Sequence, residues 1–171
     1  MSAPDPARLF HCHHLAVFRF LRRMTGDTSL AEDLTQEVFL RVVGGLEAYD
    51  ERSREVSWIF RIARNVLVDR HRARVRSPQD ASLQDATVVS QPATQVLTAI
   101  LDEALARLPD EERQAFLMRE VGGLGYHDIA EASGATPDAA RMRIYRARLA
   151  LRAALGSSRS VGVRIPKEIS K

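Results

Sequence analysis

Cysteine is nearly absent from this sequence, and the single one, Cys12, excludes an internal disulfide. A lone thiol is typical of proteins that work in a reducing compartment. The amino-terminal residues lack the charged segment and apolar core of a secretory signal, and nowhere do about 18 apolar residues follow one another. These absences predict a soluble, cytoplasmic protein without a transmembrane helix.

Several signatures of enzymes are also missing. The 171 residues contain no glycine-rich phosphate loop, no nucleophile elbow and no pair of carboxylates with a suitable pocket. No segment alternates apolar and polar residues as a β-strand would, and there is no internal repeat. We therefore expect an all-α protein that is not an enzyme and needs neither a cofactor nor a small-molecule substrate.

Lysine is scarce as well, because 23 of the 25 basic residues are arginine. The arginines are concentrated in two segments. Residues 61–76 hold six of them against one acid, Asp69, and residues 138–164 hold seven against Asp138. Arginines along a helix face bind the phosphates of nucleic acids well, but a solvated helix face has the same composition. On charge alone, both interpretations are open.

Apolar residues recur at helical spacing over most of the chain. In the first half they predict three helices, which end near Gly26, at Gly44-Gly45 and near Val75. The third helix includes Trp58 in its predicted buried set. Ser29, with Glu32 three residues later, predicts a capping box at the start of the second helix.

The periodicity stops between residues 77 and 94, where Ser, Gln, Asp, Thr and Pro replace the arginines. This composition predicts a flexible linker. Helical spacing then resumes and predicts four helices up to about Leu155. We therefore expect two small helical domains, residues 1–76 and 95–155, joined by a linker over 77–94 and followed by a disordered tail over 156–171.

The segment from Tyr126 to Arg146 has the organisation of a helix-turn-helix. Gly134 is free to adopt the positive φ of the turn, and Thr136 followed by Pro137 predicts an N-cap and a first helical position. The side chains that the second helix would present to a DNA major groove are Arg141, Met142, Arg143 and Arg146. An ordinary helical hairpin with a solvated basic face is the alternative.

Four polar residues of the second helix share one exposed face because of their spacing. They are Asp33, Gln36, Glu37 and Arg41. A solvated helix with a Glu37 to Arg41 ion pair, worth a few tenths of a kcal/mol, would have the same pattern.

Four blocks of sequence together closely resemble the extracytoplasmic-function (ECF) sigma factors of bacteria. The blocks are Asp33-Leu-Thr-Gln-Glu-Val-Phe-Leu-Arg, Trp58-Ile-Phe-Arg-Ile-Ala-Arg-Asn, Leu108-Pro-Asp-Glu-Glu-Arg-Gln-Ala-Phe-Leu-Met-Arg-Glu and Gly123-Leu-Gly-Tyr-His-Asp-Ile-Ala-Glu. They follow the family's order and intervals, and the resemblance covers roughly residues 9–155. It implies a transcription initiation factor that binds core RNA polymerase and directs it to promoter DNA.

The resemblance also implies roles for individual residues. The residues that would dock on the clamp helices of core polymerase are Asp33, Gln36, Glu37 and Arg41. Those that would contact the −10 element, where a base unstacks and strand separation begins, are Trp58, Arg61, Arg64, Asn65 and Arg72. Those that would read the −35 element are Thr136, Asp138, Arg141, Met142, Arg143 and Arg146. A contact with the polymerase flap, and control by an anti-sigma factor that is often a membrane protein, are implied in the same way.

Two other interpretations are open. A stand-alone helix-turn-helix repressor or activator would explain the second half but would leave residues 30–76 without a role. His11, Cys12, His13 and His14 suggest a zinc or redox site, because His11 and His14 fall together on a helix turn. Their spacing matches no zinc signature and a second ligand pair is missing, so we predict no metal site.

Overall fold

The structure is a computed structural model that describes residues 4–49, 54–76 and 93–160, and it is helical throughout. The helices are α1 (Pro6–Thr25), α2 (Thr28–Gly45), α3 (Glu55–Arg76), α4 (Ala93–Ala106), α5 (Asp110–Glu120), α6 (Tyr126–Ser133) and α7 (Pro137–Ser160), with a 3-10 turn at Leu46–Ala48 after α2. The described part of the chain contains no strand, which confirms the predicted all-α class. No helix within it is long and apolar enough to cross a membrane.

The helices α1 and α2 form a hairpin whose ends are set by local backbone chemistry. Gly26 closes α1 at φ 74°, a conformation that glycine adopts without strain. Asp27 then caps α2, because its Oδ1 accepts a hydrogen bond from the Leu30 amide at 3.0 Å. The capping box predicted at Ser29 and Glu32 is therefore wrong. The carboxylate of Asp27 lies two residues earlier and accepts from one of the free amides of the first turn, that of Leu30.

Helix α3 packs across this hairpin to complete the first half of the protein. The buried apolar residues of the three helices include Leu9, Val17, Phe20, Leu21, Leu34, Val38, Val42, Ile59, Phe60, Ala63 and Val66. The rings of Phe20 and Phe60 meet edge to face, with centroids 5.3 Å apart. Each of the three helices thus buries one face in this half of the protein.

In the second half, α7 packs against α4, α5 and α6. Its buried stripe contains Ala140, Ile144, Ala147 and Leu151. Small residues at Ala140 and Ala147 allow α5 and α6 to approach closely, and Ala130 of α6 is buried in the same core. The same core includes Leu105, Leu117, Met118, Leu124 and Ile129.

The two halves pack against one another as well. Helix α1 contacts α4 and α5, and α3 contacts α6. Arg22 and Arg23 of α1 each donate a hydrogen bond of 2.8 Å to the Asp102 carboxylate of α4. The buried apolar residues of both halves form one continuous cluster. No pattern in the sequence predicts this packing.

Two predicted segments differ from the structure or lie outside it. The predicted linker over 77–94 overlaps α4, which already begins at Ala93, and residues 77–92 are outside the described part. The predicted disordered tail over 156–171 is wrong at its start, because α7 continues to Ser160. Alanine and leucine favour helix on the amino-terminal side of Gly156, and no proline follows until Pro166.

The turn of the helix-turn-helix gives a stability prediction. Gly134 has φ 64° and a Cβ added to it would touch nothing within 4 Å, so alanine there costs only backbone strain. We expect Gly134→Ala to lower the free energy of unfolding by about 1 kcal/mol. Gly156 of α7 also has open space around it but an ordinary φ, so Gly156→Ala should be neutral or stabilising by up to about 1 kcal/mol. Urea unfolding of both variants checks this, and equal effects would refute the turn assignment.

Candidate nucleic-acid and polymerase interfaces

The exposed face of α2 carries the residues that the sequence placed there. Asp33, Gln36 and Glu37 are all exposed, and Leu34 and Val38 on the opposite side are buried. None of the three polar side chains is drawn into the helical core. The face is therefore accessible to a partner and carries two carboxylates and one amide.

Arg41 differs from the other three because its guanidinium is already bound. It donates to Glu37 at 2.6 Å and to Asp69 of α3 at 2.9 Å. Both contacts raise the pKa of Arg41, and the hydrogen bond to Asp69 is the largest cause. Arg41 thus braces α2 against α3, and this contact orients Glu37 on the exposed face.

Two apolar residues of the same face were not predicted from the sequence. Leu40 is 73% exposed and Val43 is 53% exposed. Leu40 lies one turn from both Gln36 and Glu37, so the polar residues border an apolar centre. Their exposure could have been predicted from helical spacing, because both positions lie outside the buried stripe of Leu34, Val38 and Val42. We call the surface of Asp33, Gln36, Glu37, Leu40 and Val43 the α2 docking surface.

Trp58 of α3 is buried, as its place in the predicted apolar set requires. Only 7% of the residue is exposed, and its ring centroid lies 4.7 Å from that of Tyr49. A Cβ added to Gly45 would approach the indole within 3.2 Å. Trp58 therefore holds the segment after α2 against α3. Its contact with DNA stays a prediction.

The polar residues that follow Trp58 lie on the outer surface of α3. Asn65 is exposed, and its side-chain amide makes no hydrogen bond to another described residue. Arg61 is 44% exposed, and Arg72 is exposed at the projecting end of the helix. Arg64 donates through Nε to Gln114 of α5 at 3.1 Å. We call Arg61, Arg64, Asn65 and Arg72 the α3 surface.

The helix-turn-helix has the geometry that its sequence predicts. Gly134 ends α6 in a left-handed conformation, and its amide donates to backbone carbonyl oxygens of the last turn. The Thr136 hydroxyl caps the start of α7 by accepting from the Ala139 amide at 3.2 Å. Thr136 is thereby occupied in holding the start of the helix. The same cap orients the first turn of α7 and its exposed side chains outward.

Four of the predicted reading residues are exposed on α7. They are Asp138, Arg141, Met142 and Arg146. Arg141 lies 3.6 Å from Asp138, and its guanidinium carbon is 5.3 Å from the centroid of the Tyr126 ring. These contacts hold the guanidinium near the turn without burying it, which orients it for a ligand.

Arg143 differs because it faces α5. Its guanidinium donates to Glu111 at 2.5 Å and its side chain is only 22% exposed. Farther along α7, Arg148 donates to Glu120 at 2.7 Å. Two ion pairs thus join α5 to α7, so the predicted DNA contact of Arg143 would require the side chain to leave Glu111.

Tyr145 is a further exposed residue, and the sequence pattern did not single it out. It is 59% exposed and lies one turn from Arg141 and Met142. A large aromatic ring on the outer face of α7 contributes nothing to the buried stripe. We call Asp138, Arg141, Met142, Tyr145 and Arg146 the α7 reading surface.

The amino-terminal histidines do not assemble a metal site within the described residues, where no group of three His, Cys, Asp or Glu side chains converges. His14 stacks on Phe10 and its Nδ1 lies 2.9 Å from the Phe10 carbonyl oxygen. His13 points to Glu55, 3.7 Å away, which also pairs with Arg8. Local packing accounts for these orientations.

Comparison with protein families finds two matches, in the order of the two halves. The model of sigma-70 region 2 matches residues 9–77, which include α2 and α3. The model of sigma-70 region 4 matches residues 98–151, which include the helix-turn-helix. The two matches contain all three of the surfaces defined above.

Curated relatives align with most of the chain. The RNA polymerase sigma factor CarQ of Myxococcus xanthus is 33% identical over 86% of this chain and 87% of its own length. The ECF RNA polymerase sigma factor SigM of Bacillus subtilis is 33% identical over 80% of this chain and 86% of its own. The ECF RNA polymerase sigma factor SigE of Mycolicibacterium smegmatis is 33% identical over 88% of this chain, which spans 62% of that protein.

Solved structures share the fold. The sigma factor RpoE of Bartonella quintana, solved in complex with the anti-sigma factor NepR, matches with a TM-score of 0.73 and 23% identity over 88% of this chain and 96% of its own. CnrH, solved in complex with the cytosolic domain of CnrY, matches with a TM-score of 0.70 and 22% identity over 89% of this chain and 88% of its own.

Proposed function

This chain belongs to the extracytoplasmic-function sigma factors of the sigma-70 family. We propose that its α2 docking surface, α3 surface and α7 reading surface each bind one partner during transcription initiation. It is an alternative sigma factor: it binds core RNA polymerase and directs promoter-specific initiation. The observation that carries this function is the presence of both sigma-70 regions, in order, in one chain whose α2 and α7 surfaces are exposed.

The α2 docking surface is assigned to core polymerase. Carboxylates that border exposed apolar side chains suit an interface in which charge orients the partner and apolar burial holds it. Leu40 supplies the apolar centre, and Asp33 and Glu37 supply the charges. The clamp helices are the partner that the family resemblance implies. Arg41 supports this surface by orienting Glu37.

The α3 and α7 surfaces are assigned to the two promoter elements. Asn65 is supported as a reader of an unstacked −10 base because its amide is exposed and has no described partner. Arg61, Arg64 and Arg72 would hold the DNA backbone beside it. On α7, Arg141 and Arg146 carry the charges and Tyr145 and Met142 the apolar contacts for the −35 major groove.

Location and regulation follow from the same assignment. A partner of core polymerase works in the cytoplasm, by binding and positioning and not by catalysis of its own. We also propose control by an anti-sigma factor, since the structural relative RpoE of Bartonella quintana was solved in complex with the anti-sigma factor NepR. A stand-alone helix-turn-helix regulator is less well supported because it leaves the α2 docking surface without a use.

Run-off transcription tests the central assignment. Core polymerase alone should not initiate from a chromosomal fragment library at defined positions, and core polymerase with this protein should initiate at a subset of promoters. The protein without core polymerase should give no transcript. If adding the protein changes neither the number nor the positions of the transcripts, the assignment as a sigma factor fails.

The α7 reading surface gives a further prediction. Arg141→Ala and Arg146→Ala should each lower affinity for the promoters selected above and flatten the salt dependence, by about 0.9 in log–log slope for each phosphate that the variant no longer neutralises. An arginine that also binds a guanine edge would in addition cost about 1–3 kcal/mol of discrimination at one base pair. Arg107→Ala is the matched control, because Arg107 is exposed in the turn after α4 and its replacement removes the same charge. Equal slopes in all three variants would count against the assignment.

A further inference from the structure

A cleft of about 480 Å³ lies between helix α1 of the first half and helices α4 and α5 of the second. The residues that line it are Arg19, Arg22, Arg23, Thr98, Glu120 and Val121. The three arginines belong to α1, and the other three residues lie in α4 or at the end of α5. None of the six belongs to the α2 docking surface, the α3 surface or the α7 reading surface. The proposed function therefore gives this cleft no role.

The three arginines share one face of α1, because they are three and four positions apart. Arg22 and Arg23 each donate through Nη1 to the carboxylate of Asp102 in α4, both at 2.8 Å. Neither guanidinium makes another hydrogen bond or ion pair within the described part of the chain. A guanidinium has several N–H donors in a fixed plane. Asp102 thus fixes the position of both groups and leaves most of their donors available to a ligand.

Arg19 carries a charge that no neighbouring carboxylate offsets. It is exposed, and its guanidinium has no hydrogen-bond or ion-pair partner among the residues that the structure describes. Glu120 is the one acid in the lining, and it already accepts from Arg148 at 2.7 Å. Asp102 offsets one of the three arginine charges. The cleft therefore keeps two positive charges without a counter-ion from the protein.

This charge and this size suit a ligand that carries phosphate. Guanidinium groups bind phosphate oxygens through paired N–H donors, and a phosphate ester has a charge of about −1.5 to −2 at pH 7. A volume of about 480 Å³ exceeds that of a single phosphate and falls within the range of roughly 300–1,000 Å³ typical of small-molecule sites. Val121 adds an apolar wall for the rest of such a molecule.

We infer that this cleft binds a small molecule with a phosphate or diphosphate ester. Its phosphate is held by Arg19, Arg22 and Arg23, and the remainder of the molecule lies beside Val121. Arg22 and Arg23 keep their bonds to Asp102, and Arg19 supplies the charge that has no partner. Because the ligand contacts α1 and also the lining residues of the second half, its binding stabilises the folded chain.

Isothermal titration calorimetry of the full chain measures the binding of inorganic pyrophosphate and of adenosine diphosphate. We expect one molecule of either probe to bind per chain. Arg19→Ala should weaken both by about tenfold, as the loss of a charge-assisted hydrogen bond does, and Arg19→Glu should abolish binding. Arg107→Ala is the matched control, because it removes the same charge outside the cleft, and it should bind as tightly as the wild type.

Thermal unfolding gives a second readout. Phosphate anions stabilise most proteins weakly because they are excluded from the surface, so the difference between variants is the quantity to compare. At one ionic strength, set with sodium chloride, pyrophosphate should raise the melting temperature of the wild type and of Arg107→Ala more than that of Arg19→Ala. Equal rises in all three chains would assign the stabilisation to general exclusion and overturn the site.

Three further outcomes would contradict this assignment. The first is a wild-type chain that binds neither probe. The second is binding of pyrophosphate without adenosine diphosphate, which would exclude an ester. The third is a loss of promoter-duplex affinity in Arg19→Ala as large as that in Arg141→Ala, which would assign Arg19 to the phosphates of DNA. Run-off transcription by the wild type without added ligand tests the proposed function separately, since a sigma factor can work whether or not this cleft is a binding site.

Discussion

Reversing both charges of the α2 docking surface, Asp33→Arg with Glu37→Arg, is expected to weaken binding to core polymerase by about 100-fold or more. Both carboxylates are exposed, so they are available to cationic groups of a partner. Reversal replaces attraction with repulsion across the interface and leaves the opposing charges without a counter-ion. Fluorescence anisotropy with labelled protein and core polymerase measures the change.

Folding should be nearly unaffected by the same two substitutions. Residue 37 no longer pairs with Arg41, but Arg41 keeps Asp69, and exposed ion pairs contribute at most about 1 kcal/mol. Glu47→Arg with Glu103→Arg is the control, since it makes the same charge change at exposed positions elsewhere. If the control and the docking variant bind core polymerase equally well, the face of α2 is only a solvated helix surface.

Asn65→Ala is expected to slow promoter opening by about 10- to 100-fold, corresponding to a base-edge contact of about 1–3 kcal/mol. The amide is exposed and has no described hydrogen-bond partner, so its removal should leave core binding and the melting temperature unchanged. Permanganate reactivity of unpaired thymines measures the opening rate. Asn65→Gln keeps the amide but moves it by one methylene, and should recover little of the rate.

A pre-melted promoter distinguishes a contact between Asn65 and a base from a role of Asn65 in stabilising its own helix. If Asn65 reads a base, Asn65→Ala should still show altered base preference on a template whose −10 strands are already apart. Full rescue on that template with unchanged preference would assign Asn65 to bracing. A wild-type opening rate on ordinary duplex would remove it from the mechanism.

The sequence predicted most reliably what depends on neighbouring residues. Gly134, Thr136 and Pro137 determine a turn and a helix start through backbone geometry that lies within a few positions, and the structure has that turn. The exposed face of α2 likewise follows from helical spacing alone. The order of the two sigma-70 regions was visible as four sequence blocks, and the family comparisons confirm it.

The sequence could not predict contacts between residues far apart in the chain. Arg41 and Arg143 were chosen for partner binding, yet each has a carboxylate partner 28 or 32 positions away, in another helix. Nothing in the spacing around either arginine marks those partners. The apolar pattern predicted burial of Trp58 and the family resemblance implied a DNA contact, and the packing against Tyr49 and Gly45 agrees with burial.

The Asp102 contacts also have a consequence for the order of folding. Arg22 and Asp102 are 80 positions apart, whereas the hairpin of α1 and α2 and the turn between α6 and α7 join close neighbours. Local contacts form early because they close short loops, and contacts across a long loop carry a larger entropy cost. Each half should therefore acquire its helices and core first, and docking of the halves should be a late step. Asp102→Lys should accordingly leave the folding rate unchanged and accelerate unfolding, as for a contact absent from the transition state.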